Sequence, residues 1–207
     1  MIKLLLGFYL LLLSKTLAFY NDIAYRMKKQ LFGFIFHKIL GWKAEFKVDI
    51  PEKCILCVAP HTSNWDLLMG KLFYGAYNKK ASFMMKKEWF TFPLGYFFRS
   101  IGGIPVHRGK KNSLVDQMSK LFEEKKQFNL AITPEGTRKP NPNWKKGFYY
   151  IACGAKVPII LIGIDYTEKK ITVGKEFIPS GDIEKDMPII KDFFKDFKGK
   201  IPSNFKY

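Results

Sequence analysis

Short apolar runs alternate with amphipathic stretches along most of the chain after residue 44. Apolar and β-branched runs predict strands at 45–50, 54–60, 81–86, 129–134, 157–165 and 170–175. Helical spacing of apolar residues predicts helices at 67–77, 113–128 and 144–155. From residue 183 the tail is polar and partly helical, and Pro188 and Pro202 are expected to break it. This alternation predicts a single α/β domain with a largely parallel central sheet flanked by helices.

The first 42 residues follow a different pattern. The apolar run at 4–13 is too short to span a bilayer. Residues 19–40 place apolar side chains at helical spacing among lysines and arginine, which predicts basic amphipathic helices lying in the headgroup region of a membrane. Two alternatives remain: a helix packed on the domain's own core, or a signal peptide cleaved near Ala18, against which the amphipathic segment argues. We therefore divide the chain into membrane-associating helices at 1–42 and a folded domain at 43–207.

Composition and charge narrow the class of protein. Of the 207 residues, 47% are hydrophobic and 16% aromatic, which excludes a disordered chain. The net charge of +17 indicates a polyanionic partner, such as nucleic acid, an anionic membrane or acidic substrates. The 20 phenylalanines favour a membrane surface. A nucleic-acid partner is disfavoured because no zinc module, helix-turn-helix or aromatic RNA-binding signature is recognisable.

The cysteines indicate neither a disulfide framework nor a metal site. There are three, and Cys54 and Cys57 lie three positions apart in a predicted strand, so their side chains point to opposite faces of the sheet. No second pair of cysteines or histidines follows at zinc-like spacing. We expect small buried apolar residues in a reducing compartment.

One candidate for acid–base chemistry lies where a predicted strand meets a helix, in the stretch VAPHTSNWDLLMG. His61 is a general base of suitable strength near neutral pH, and Asp66 can hold its other ring nitrogen. Ser63 is a weak candidate for a protein nucleophile, so the nucleophile is expected to be a hydroxyl of the substrate. The alternative is that Asp66 only stabilises the start of the helix and that His61 is an ordinary loop residue.

A second candidate follows the predicted strand at 129–134, in the stretch TPEGTRK. A tight turn there exposes backbone N–H groups that can hold a phosphate or an oxyanion, and Arg138 offers a bidentate fork to phosphate. Glu135 can position Arg138 or a substrate hydroxyl. The alternative is an ordinary solvated turn.

Two basic clusters follow other predicted strands. Lys86 and Lys87 follow the strand at 81–86, and Arg108, Lys110 and Lys111 follow the extended stretch GGIPV. Each cluster alone is typical of a solvated surface. Together, at the carboxyl edge of one sheet, they would form a cationic wall around His61 that suits a phosphate-bearing substrate.

Four stretches of the sequence resemble a known family. HTSNWD, GGIPVHR, PEGTR and KVPIILIGI occur in the order and approximate spacing of the four blocks of the glycerolipid acyltransferases, whose standard members act on lysophosphatidic acid. The resemblance covers roughly residues 45–175. The first and third blocks together are specific to this family.

The resemblance implies an enzyme of phospholipid biosynthesis that moves a fatty acyl group from acyl-CoA or acyl carrier protein to a lysophospholipid hydroxyl, as in 1-acyl-glycerol-3-phosphate. His61 would be the general base, oriented by Asp66, with no acyl-enzyme. The acceptor and its phosphate would be bound by Arg108, Glu135, Gly136, Thr137 and Arg138, and by Lys86 from the cationic wall. The family implies no metal or organic cofactor, and its N-terminal helices embed in one leaflet, here on the cytoplasmic face of the inner membrane.

Two positions depart from the family pattern. His107 stands where an acidic residue usually precedes the arginine of the second block, and Thr133 replaces a frequent aromatic residue. The first change can move the preference away from a simple lysophosphatidate. Two other functions therefore stay open: acylation of another hydroxyl lipid, such as an amino-acid-derived lipid, or a non-catalytic protein that binds anionic membranes and does not need His61.

Overall fold

A computed structural model describes residues 2–106 and 111–207, without the side chains of 2–14, 18, 21 and 111–113. Seven strands and six α-helices alternate along this part of the chain. In order they are α1 (Ile2–Gly33), β1 (Lys43–Phe46), β2 (Lys53–Ala59), α2 (Trp65–Ala76), β3 (Ser82–Lys86), α3 (Leu94–Ser100), β4 (Gly103–Val106), α4 (Lys111–Glu124), β5 (Phe128–Ile132), α5 (Gly147–Ala155), β6 (Ile159–Asp165), β7 (Lys170–Phe177) and α6 (Ile183–Phe194).

The strands form one sheet in the order β1-β7-β6-β2-β5-β3-β4. The strands from β2 to β6 run parallel to one another, with β2 between β6 and β5. Beyond β6 in this order, β7 is antiparallel to β6, and the outermost strand β1 is parallel to β7. The predicted α/β fold with a largely parallel sheet is thus confirmed, and the carboxyl ends of β2, β5, β3 and β6 share one edge.

Helices cover both faces of the sheet. Residues of α4, α5 and α6 pack on one face around Ile55 and Cys57. Residues of α2, together with Phe36, pack on the other face around Cys54 and Leu56. The cysteines of the C-x-x-C stretch are therefore buried on opposite faces, as their spacing in a strand predicts.

The N-terminal segment is one long helix followed by a π-helical turn, Phe34–Ile39, where we expected several helices. Its last turns pack on α2, where a Cβ on Gly75 would lie 2.3 Å from the Phe32 ring. His37 in the π-helical turn contacts the backbone just before β1, where its Nδ1 lies 2.8 Å from the Trp42 carbonyl oxygen. Within the described residues, no helix has the length and apolar character needed to cross a membrane.

Three further elements differ from the sequence prediction. The 3₁₀ turn Lys87–Phe90 and helix α3 were not predicted, because their aromatic residues follow neither strand nor helix periodicity. Helix α6 continues through Pro188 instead of breaking there. Burial of Met187, Ile190 and Phe194 against the sheet offsets the hydrogen bond that proline removes.

Candidate active site

Neighbouring strands bring the two candidate motifs together. Cys57 of β2 pairs with Ile132 of β5, so the loops that follow the two strands leave the sheet side by side. The backbone N–H of His61 donates to Glu135 Oε1 at 2.7 Å. Residues 74 positions apart in the chain are therefore joined directly, as the strand-end prediction requires.

The loop from His61 to Asp66 is ordered around one carboxylate oxygen. Asp66 Oδ2 lies 3.0 Å from His61 Nδ1 and accepts hydrogen bonds from the backbone N–H groups of Thr62 and Ser63 at 2.8 and 2.9 Å. Asp66 lies in the first turn of α2, where the helix dipole favours its charge. The contact fixes the ring and assigns the proton to Nδ1, which leaves Nε2 as the basic nitrogen. Asp66 thus both orients His61 and stabilises the start of the helix.

A tyrosine that was not predicted completes the partners of this carboxylate. Tyr166 Oη donates to Asp66 Oδ1 at 2.7 Å. Burial and the neighbouring carboxylate raise the pKa of Tyr166 far above its ordinary value, so the phenol remains a donor. Tyr166 directly follows β6, which pairs with β2, so the strand-end rule that identified His61 also applies to it.

Glu135 is buried behind the loop, with an exposed fraction of only 3%. Burial raises its pKa from 4.5 to about 7, and the hydrogen bonds and charge from His61 only partly oppose this. Its Oε2 has no hydrogen-bond partner among the described residues. Glu135 therefore supports the backbone of the His61 loop and carries a proton over much of the acidic range.

A cavity of about 930 Å³ opens beside the His61–Asp66 pair. This volume lies in the range of small-molecule sites, about 300–1,000 Å³. Polar side chains in its wall include Thr137 and Arg138. The rest is mainly apolar, with contributions from Val58, Phe83, Met84, Leu114, Phe148 and Ile151.

The predicted acceptor-binding residues occupy different places around this cavity. Gly136, Thr137 and Arg138 line it, and Gly136 adopts a left-handed backbone conformation with φ +67° that suits glycine. Glu135 supports it from behind. Lys86 is exposed at the end of β3 and does not line the cavity, although its neighbour Met85 does. Arg108 lies outside the described residues.

A second cation in the cavity wall, Lys71, was also not predicted. Its Nζ donates to the carbonyl oxygens of Ala81 and Ile101 and lies 4.7 Å from the centroid of the Phe83 ring. Burial, followed by the charge of Lys28, lowers the pKa of Lys71 to about 8. No motif in the sequence marks this lysine, because its position depends on how α2 packs beside β3.

Comparison with known proteins identifies the family of the chain and a solved structure of similar fold. The sequence model of the acyltransferase family matches residues 21–165, which is more than half of the chain. The chain belongs to this acyltransferase family. The fold is similar to that of the crystal structure of the 1-acyl-sn-glycerophosphate acyltransferase PlsC from Thermotoga maritima, with a TM-score of 0.56 and 16% identity over 84% of this chain and 80% of that one.

Three curated relatives of this chain are named 1-acyl-sn-glycerol-3-phosphate acyltransferases. The Saccharomyces cerevisiae protein is 26% identical over 60% of this chain and 43% of its own length. The chloroplastic protein of Brassica napus is 28% identical over 65% of this chain and 40% of its own length. The human beta form is 30% identical over 45% of this chain and 36% of its own length. The chain thus spans about two fifths of the length of these relatives.

The raised pKa of Glu135 predicts a specific dependence of stability on pH. Between pH 4.5 and about 7 the folded protein holds a proton that the unfolded chain has released, so stability falls as the pH rises through this range. Relative to Glu135→Gln, which cannot ionise, the wild type should lose about 3 kcal/mol of unfolding free energy across the interval. Urea denaturation at a series of pH values measures the difference.

The control for this series is Glu176→Gln, which changes an exposed carboxylate on β7. Its unfolding free energy should follow the wild type in parallel. A constant difference between the wild type and Glu135→Gln from pH 4.5 to 7.5 would show that folding does not raise the pKa of Glu135.

Proposed function

We propose that the protein transfers a fatty acyl group from an acyl thioester, acyl-CoA or acyl carrier protein, to the hydroxyl of a lysophospholipid such as 1-acyl-glycerol-3-phosphate. The observation that carries the proposal is the His61–Asp66 pair. The Nδ1 atom of His61 contacts the Asp66 carboxylate, and both residues line a large cavity. The family membership and the names of the relatives support the reaction and the acceptor class.

In the proposed reaction His61 acts as a general base. The acceptor hydroxyl oxygen attacks the thioester carbonyl carbon, so that a C–O bond forms and the C–S bond breaks. His61 Nε2 takes the hydroxyl proton and returns it to the leaving thiolate, which gives an ester and a free thiol. Asp66 stabilises the imidazolium that forms between these two steps.

The cavity wall contains both polar and apolar side chains, which suit the two ends of such substrates. Arg138, one of the polar residues of the wall, matches the phosphate of the acceptor. The apolar part suits an acyl chain. The serine in the loop supports direct transfer without an acyl-enzyme, since Ser63 Oγ accepts the Trp65 N–H at 3.1 Å and belongs to the start of α2. Lys86 and Arg108 stay in the proposal as further phosphate-binding residues.

The proposal includes binding to the cytoplasmic face of the inner membrane through the N-terminal segment 1–42, which precedes the acyltransferase domain at 43–207. Exposed apolar residues on α1 support it, among them Phe19, Tyr20, Met27 and Leu31. Exposed basic side chains, including Arg26, lie on the same helix. Such a helix buries its apolar side chains at the membrane interface and holds anionic lipid with its cations.

Replacement of His61 tests the proposed reaction. The expected result for His61→Ala is a loss of acceptor-dependent thiol release of about a thousandfold, because general-base catalysis contributes on that scale. Release of CoA from palmitoyl-CoA is measured with and without lysophosphatidic acid, on detergent-purified protein free of host acyltransferases. Acyl carrier protein thioesters and other hydroxyl lipids are tested in the same assay.

The matched control is His37→Gln, which changes another partly buried imidazole that does not line the cavity. It should retain activity, and His61→Ala should retain vesicle binding. An active His61→Ala protein would contradict the mechanism, and vesicle binding without turnover of any donor or acceptor would favour a binding-only role.

Tyr166→Phe tests whether the phenol positions the catalytic pair. It removes the donor to Asp66 Oδ1 and should lower kcat about tenfold with KM nearly unchanged, because a hydrogen bond to a charged group contributes about 1.5 kcal/mol or more.

The chain offers a matched control for this variant in a second tyrosine–aspartate pair. Tyr149 Oη donates to Asp186 Oδ2, also at 2.7 Å, and neither residue lines the cavity. Tyr149→Phe should therefore lower stability by a comparable amount and leave kcat and KM unchanged. Equal kinetic effects of the two variants would show that Tyr166 has a merely structural role.

A further inference from the structure

The segment 87–100, which joins β3 to β4, exposes large aromatic side chains. The exposed fractions are 85% for Phe92, 73% for Tyr96, 58% for Phe97 and 53% for Trp89. Contiguous apolar surface of this kind is uncommon on a protein without a partner and marks an interaction site. It is separate in sequence from the exposed apolar residues of α1.

This exposure does not result from a loosely attached loop. A Cβ on Gly95, the buried glycine of α3, would lie 2.3 Å from the backbone oxygen of Phe90, and a Cβ on Gly103 would lie 2.8 Å from that of Phe98. The half-buried rings of Phe90 and Phe98 also contact each other, with 6.1 Å between the ring centroids. The inner side of the segment is therefore closely packed within itself and against β4, while the outer side presents aromatic rings to the surroundings.

The position of the segment connects it with the candidate active site. It begins where β3 ends, at the same edge of the sheet as His61. Met84 and Met85, the residues of β3 immediately before Lys86, line the cavity. A surface that holds this segment would therefore lie close to the cavity.

The charges of the segment indicate what kind of surface would hold it. Lys86 and Lys87 precede the aromatic residues and Arg99 ends the series, whereas Glu88 is the one acidic residue at 86–100. The Arg99 guanidinium lies 5.2 Å from the centroid of the Phe90 ring. Aromatic side chains bordered by cations suit an interface between anionic headgroups and acyl chains, and the net charge of +17 acts in the same direction.

We propose that residues 87–100 form a docking surface for an anionic lipid bilayer, in addition to the N-terminal helix. Phe92 and Tyr96 enter the interface, and Lys87 and Arg99 contact the headgroups. This arrangement would bring the cavity beside the bilayer, so that a lipid acceptor reaches it without crossing water. Only the delivery of a lipid acceptor to the cavity rests on the proposed function. Binding of the surface to a bilayer does not, since it is measured without any turnover.

The test is vesicle binding by the full chain, with Phe92→Ser and Tyr96→Ser combined. The vesicles contain phosphatidylglycerol and phosphatidylethanolamine, with phosphatidylcholine alone as the uncharged comparison. The double variant should bind the anionic vesicles at least about tenfold more weakly, because two exposed rings no longer enter apolar surroundings. Its unfolding temperature should match the wild type, since both side chains are exposed.

The matched control combines Ile178→Ser and Ile189→Ser, which are exposed apolar residues elsewhere. Ile178 follows β7 at the opposite edge of the sheet, because Phe177 pairs with the first residue of β6. This control should bind vesicles like the wild type. Equal binding by the wild type and both double variants would overturn the proposal.

A second measurement reports contact of this surface with the bilayer directly, whatever the N-terminal helix contributes to the affinity. Trp89 fluorescence, taken as the difference between the wild type and Trp89→Phe, should be quenched by vesicles with brominated acyl chains. Absence of quenching would overturn the proposal. So would a dimer in sedimentation equilibrium that the Phe92 and Tyr96 substitutions disperse while vesicle binding is unchanged, because the occupant would then be a second copy of the chain.

Discussion

The arrangement of the site depends on one buried carboxylate. Asp66 accepts hydrogen bonds from two backbone N–H groups of its own loop, contacts the His61 ring, and accepts the Tyr166 hydroxyl. A desolvated carboxylate is costly unless it is fully hydrogen-bonded, and here both of its oxygens have partners. The same contacts that satisfy the charge fix the loop, the start of α2 and the orientation of the imidazole.

The sheet makes these contacts possible between distant parts of the chain. Strand β2 lies between β5 and β6, so the residues that follow these strands meet at one edge. Glu135 arrives from β5 and holds the His61 backbone, while Tyr166 arrives from β6 and holds Asp66. The tail adds a further support, since the Ile201 N–H donates to Thr62 Oγ1 at 3.3 Å. The loop that carries His61 is thereby held by contacts from α2, from the residues after β5 and β6, and from the tail.

Sequence patterns were sufficient for the α/β fold and for placing His61, Asp66 and Glu135 close together, because these residues follow strands with clear apolar runs. The contact of Glu135 with the His61 backbone was not predicted, since the sequence suggested Arg138 or a substrate hydroxyl as its partner. Tyr166 follows such a strand too, but a tyrosine beside an aspartate has no motif that distinguishes it. Lys71 and the packed side of segment 87–100 depend on contacts between helices and loops, which local periodicity does not encode. Pro188 in α6 was misjudged because tertiary burial outweighs the local cost of proline.

The most direct test of the central claim is the protonation of the His61 ring in the folded protein. Nitrogen-15 NMR of protein labelled at its three histidines, with His37→Gln and His107→Gln for assignment, reports which ring nitrogen carries the proton. At mildly alkaline pH we expect His61 as the Nδ1–H tautomer with an unprotonated Nε2, and loss of that preference in Asp66→Asn. An Nε2–H tautomer in the wild type would contradict the account, because the nitrogen available to the cavity could not then act as the base.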